Sequence, residues 1–210
     1  MRAVGRWRPW EVPPERSEPA RTGEDGAGLP SWLAERLFER RMVFLTGRVT
    51  AGVAGTTVAA LLSLDAPDTD PAPVRLHLAA PDGDLDAVFA VIDAIDSIRS
   101  PVHVVATAQV GGAALGVLAA AGRRLAYPHA RFRLAEPSLA SVDGTADDVA
   151  QAAGRHLRAL EDLVLRIAAA TGQPRSRVED DLSAGRLLDA EQARAYGLVH
   201  EIRGPGPSQP

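Results

Sequence analysis

The chain has no cysteine and no lysine among its 210 residues. The first absence removes disulfides, thiolate metal sites and a cysteine nucleophile together, and it fits a cytoplasmic protein. The second leaves arginine as the whole basic complement of 23 residues, which points to codon composition rather than to a function. No basic field exists either: the formal charge is −4 and the pI is near 5.7. Nucleic acid and acidic lipid surfaces are therefore not expected as partners. No run approaches the roughly 20 apolar residues that span a bilayer, and the arginine-bearing start lacks the apolar centre of a secretory signal.

What is present suits a packed core. Hydrophobic residues make up 46% and charged residues 24%, the balance of an ordinary single domain. Residues 1–28 mix Arg, Glu, Pro and Gly, with a Pro13-Pro14 pair and no periodic apolar face. They read as a flexible arm or propeptide. Trp7 and Trp10 are the residues there with binding value, because aromatic anchors dominate small interfaces. Residues 204–210 read as a flexible tail, so the folded domain is expected over 29–203.

Within that domain, apolar runs closed by turn residues alternate with helical spacing. Strands are expected at 42–47, 74–80, 102–108, 130–136 and 198–202. Helices are expected from Ser31, over 53–64, 84–98, 112–121 and 145–170, near 174–182 and near 189–196. The alternation implies an α/β fold with mainly parallel crossovers. Ligands of such sheets bind at the carboxyl ends of strands. Two glycine-bearing turns fall there, Pro81-Asp82-Gly83 and Val110-Gly111-Gly112.

Four segments in order resemble the Clp protease proteolytic subunit family: LFERRMVFLTGRV (37–49), LHLAAPDGDL (76–85), GGAALGVLAAAGRRLAYPHARFRLAEP (111–137) and LLDAEQARAYGLVHEI (187–202). The resemblance covers about 30–202 and implies the Clp protease/crotonase-like spiral of repeated β-β-α units with a long handle helix. It also implies a serine–histidine–aspartate peptidase with two backbone N–H groups as oxyanion hole. Carried across residue by residue, the nucleophile position falls on Gly112, the histidine on Ala135 and the aspartate on Asp181. The oxyanion donors fall on Gly83 and Ala113. Glycine has no group to attack with and alanine cannot move a proton, so no triad is intact. Removing either member costs on the order of 10⁶-fold in turnover.

Other departures follow the same mapping. The family's aromatic positions in the pocket that receives the ATPase partner fall on Arg75 and His77, which puts docking of a Clp ATPase in doubt. The arginine that joins stacked rings falls on Asp180, which puts ring stacking through that contact in doubt. Leu157, Leu160 and Leu163 form a stripe on the handle helix that a single domain covers poorly, so they are expected at a subunit joint. His77, His103, His129, His156 and His200 show no metal-ligand spacing. No metal and no cofactor are expected.

Three readings stand. The first is a catalytically deficient subunit of a Clp-protease-type ring, structural or regulatory. It would be a homo-oligomer, with a heptameric ring or co-assembly with active paralogous subunits as its forms. The second is a crotonase-type acyl-CoA enzyme that pairs the oxyanion hole with Glu136 as acid–base group. The third is a serine peptidase with a rearranged site.

Overall fold

The computed structural model describes residues 30–65, 72–138 and 144–204. The arm with Trp7 and Trp10, and the tail beyond 204, lie outside the described residues. The family of apolar runs forms a five-stranded sheet in the order β1 (Met42–Thr46), β2 (Val74–Ala79), β3 (Val102–Ala106), β5 (Arg123–Ala126) and β8 (Glu201–Ile202). All four pairings in it are parallel. A second sheet has the order β4 (Gln109–Gly111), β6 (Arg131–Arg133), β7 (Leu187–Leu188). Its first pairing is parallel and its second antiparallel. The mixed α/β architecture and the long helix match the expected fold class.

Helices supply the crossovers. α1 (Ser31–Glu39) leads into β1, α2 (Ala51–Leu64) joins β1 to β2, and α3 (Leu85–Ser97) joins β2 to β3. A short 3-10 turn at Gly112–Ala114 runs into α4 (Leu115–Ala120), which joins the two sheets to β5. The handle helix is α5 (Ala146–Thr171), started by a Thr145–Asp148 capping box. α6 (Arg175–Ser183) and α7 (Ala190–Tyr196) complete the chain, the latter with a second capping box between Asp189 and Gln192. The core gathers Leu45, Leu76, Leu78 and Val104 from the sheet with Val88, Ile92, Leu115 and Leu118 from α3 and α4. Each fully buried Leu or Ile side chain contributes on the order of 1.5–3 kcal/mol.

Three expectations need correction. The expected strands leave out β4, β5 and β7, and β5 lies inside the main sheet. Its start, Arg123-Arg124, carries no apolar signal, yet Arg124 is buried. Its guanidinium donates to the carbonyls of Ala170 (2.7 Å), Leu198 (3.0 Å), Gly197 (3.2 Å) and Ala121 (3.5 Å). Burial pulls its pKa below the usual arginine value. A cation at the carboxyl ends of α5 and α7 complements their dipoles. The expected helix at 112–121 splits, because its first turn is 3-10. Leu163 is fully buried in its own protomer, against Gly116 of α4, so it needs no cover from a neighbour. Leu160 is half-buried against the core, and only Leu157 stands out, 65% exposed.

Candidate active site

Backbone pairing brings the predicted positions together. Gly111 pairs with Arg133 at the end of β4 and β6, so Gly112 and the 134–136 segment leave the sheet side by side. That segment then bonds to the α6–β7 turn: Leu134 N–H donates to the Arg186 carbonyl (2.8 Å) and Glu136 N–H to the Leu182 carbonyl (3.2 Å). Ala135 is thus held across from the last turn of α6, which carries Asp181. On the other side, Gly111 N–H donates to the Ala80 carbonyl (2.9 Å), which ties the nucleophile turn to the turn after β2.

The backbone of this site is shaped by close approach. Gly112 has φ +51°, a left-handed conformation that side chains rarely adopt. A Cβ on Gly111 would lie 2.8 Å from the Pro81 carbonyl and 3.0 Å from that of Arg133. Val110 and Ala113 have no hydroxyl, so no neighbour of Gly112 offers a replacement nucleophile. Gly83 forms a parallel bridge with Val49, and a Cβ there would stand 2.7 Å from the Val49 Cβ. Its retention therefore has a packing cause of its own.

The side chain that dominates the site is one the sequence reading took only as a turn residue. Asp82 Oδ1 accepts from the Ala113 backbone N–H at 3.3 Å. The carboxylate also accepts from Ser138 N–H (3.4 Å) and from the Arg48 guanidinium (2.8 Å). Burial alone would raise its pKa, but the nearby backbone N–H groups of Gly83, Ala113 and Ser138 and the Arg48 guanidinium outweigh it and hold the carboxyl below the usual aspartate value. A Cβ built on Gly112 would overlap Asp82 Oδ1 and lie 2.8 Å from its Cγ. Arg48 reaches Asp84 as well (2.9 Å), and those contacts raise its own pKa against the effect of burial. The sequence signal for Asp82 was only its place in the turn Pro81-Asp82-Gly83 at the carboxyl end of a strand. Arg48 had no such signal.

The acid position is differently placed. Asp181 Oδ1 accepts from Arg186 (2.9 Å) and its Oδ2 lies 3.9 Å from Arg177. The Tyr196 hydroxyl and Asp181 Oδ2 are both buried without a hydrogen bond of good geometry. Burial, and then the nearby Asp181 charge, push the Tyr196 phenol up to about 12. Both arginines lie over the Tyr196 ring, at 5.5 and 5.8 Å. Glu136 is exposed and lines a cavity of about 210 Å³ with Leu157, Leu160, Arg175 and Glu179. None of the oxyanion residues lines that cavity.

A Clp protease family model matches residues 30–205. The chain belongs to the Clp protease family. Within that family frame, His77 is buried and stacks on Phe44, its register neighbour, at 4.8 Å between ring centres. Arg75 is half-buried beside it. Among the described residues no group of His, Asp and Glu could hold a metal ion, and no helix is long and apolar enough to cross a membrane.

Proposed function

We propose that this member of the Clp protease family is a subunit without peptidase activity of its own, with a structural or regulatory role in a Clp-protease-type assembly. The observation that carries the reading is Gly112 at the nucleophile turn, with Ala135 in place of the base. Neither position holds an atom that could attack a carbonyl or take a proton. A rearranged serine site finds no support in Ser138: it is exposed, and its N–H serves Asp82. The crotonase reading is disfavoured because Glu136 faces the cavity between α5 and α6.

Members of this family assemble into rings, and self-assembly is the expected state here. Leu157 on α5 is the exposed member of the expected stripe, with Leu165 47% exposed on the same helix. Which paralogues join it, and whether an ATPase docks, follow from the same reading as proposals. The test combines two measurements on the purified full chain. A fluorogenic peptide and a serine-reactive fluorophosphonate should give neither turnover nor label. Native mass measurement, alone and with active Clp peptidase subunits of the host, should give an oligomer. Turnover that disappears on a point change in this chain would overturn the first claim; a 22.1 kDa particle at micromolar concentration would overturn the second.

A further inference from the structure

We propose that the oxyanion hole of this protein is a carboxylate-binding site filled from within by Asp82, so that the site is closed by a second lock independent of the missing serine and histidine. The inference deepens the pseudo-peptidase reading and rests on it for the mapping of the site. Of the two N–H groups that would hold a substrate oxyanion, that of Ala113 donates to the Asp82 carboxylate (3.3 Å), and that of Gly83 follows Asp82 directly in the same turn. A carboxylate is the chemical form of a hydrolysed peptide's new end, so Asp82 occupies the hole as a product would. It is also fixed there from outside. Arg48 clamps its other oxygen while holding Asp84, and Ser138 N–H closes the remaining side. Arg48 and Asp84 are the charged groups joined to it in this cluster.

The lock acts twice. It takes up the Ala113 N–H that would stabilise a tetrahedral intermediate, and removing even one such donor costs about 10²–10³-fold in rate. It also fills the volume into which any side chain at position 112 would project. Restoring the triad alone is therefore insufficient: the double variant Gly112→Ser with Ala135→His places the new Cβ on the Asp82 carboxylate. Asp82→Gly must accompany it.

The experiment compares full-length wild type, the double variant and the triple variant that adds Asp82→Gly, each treated with a fluorophosphonate. The triple variant should label and the double should not, whatever the peptide turnover. Labelling of the double variant as strong as that of the triple would overturn the proposal. A measurement that needs no restored activity decides the case if the variants fold poorly. In proton–nitrogen spectra at neutral pH, Asp82→Asn should move the Ala113 amide proton upfield, because a charged acceptor is replaced by a neutral one. An unmoved Ala113 amide would overturn the proposal even if every variant were silent. Labelling of the wild type would instead overturn the reading of the chain as inactive, so the two failures are distinct.

Discussion

On the proposed reading, the two halves of the site differ from the family pattern in different ways. In the oxyanion half a side chain fills the space: Asp82 stands between the turn at Gly83 and the turn at Gly111-Gly112. In the base half, the histidine position is reduced to Ala135, and Asp181 is turned over to Arg186, Arg177 and Tyr196. The difference follows from what each half does for the fold. The glycines allow strand ends to approach within hydrogen-bond distance, so replacing them would disturb the sheets. A catalytic histidine supports only catalysis, and its loss leaves the core untouched.

The largest expected effect tests this contrast directly. Gly111→Ala places a methyl group against two backbone oxygens, which cannot swing aside as a side chain end could. It should cost about 3 kcal/mol or more. Ala135→Ser, in the other half and half-exposed, should change stability by less than about 0.5 kcal/mol. Denaturant unfolding of the two variants measures both. Equal costs would break the comparison.

The halves should also fail at opposite ends of the pH scale. The folded-state pKa of Asp82 is lowered, so the unfolded chain takes up its proton first as pH falls. Its contribution is therefore complete above the unfolded value near 4 and is lost in acid. Asp82→Asn should remove about 1–2 kcal/mol at neutral pH, the size of hydrogen bonds to a charged group. It should also flatten the stability profile below about pH 4. Thermal melting across pH 3–7, wild type against variant, is the measurement. Parallel profiles would show that the carboxylate is not held as described.

Much of this could be read from sequence, for identifiable reasons. Strands β1, β2 and β3 are apolar runs closed by turn residues, and the helices expected over 145–170 and near 189–196 begin, in the structure, with capping boxes at Thr145 and Asp189. The order of four motifs pointed to the Clp protease family, whose model matches residues 30–205. β5 was hidden because its first two residues are arginines, one of them buried on backbone carbonyls that come from α5 and the α7–β8 connection. The plug was hidden because its partners are distant in sequence, with Ala113 31 residues and Ser138 56 residues away. Leu163 misled in the reverse direction: its spacing matched an exposed stripe, but Gly116 leaves room for it in the core.

The assembly surface yields a smaller, separable effect. Leu157→Glu should leave the melting of the protomer nearly unchanged, since the side chain is mostly in solvent. It should weaken the oligomer if α5 is the joint, because a charge would be forced into an apolar contact. Leu163→Glu should instead unfold the protomer. Sedimentation and melting together distinguish the two outcomes, and an unchanged oligomer in Leu157→Glu moves the joint elsewhere.

The smallest expected effect belongs to Asp181, whose counterpart in an active family member would be indispensable. Its ion pair with Arg186 is partly exposed, and such pairs contribute about 0–1 kcal/mol. Asp181→Asn should therefore change stability by less than about 1 kcal/mol. The informative readout is Tyr196. Its phenol is pushed up to about 12, first by burial and then by Asp181. Removing the carboxylate charge should lower that value, while burial keeps it above the ordinary tyrosine value near 10. A group with a raised folded pKa stabilises below its unfolded value and loses that contribution as pH rises through the folded one. The wild type should thus weaken between about pH 10 and 12, and the variant over a narrower span. Ultraviolet titration of the phenolate, compared with a Tyr196→Phe control, reads the shift. An unchanged midpoint would mean that Asp181 does not act on Tyr196, and that the base half has lost its charge coupling as well as its histidine.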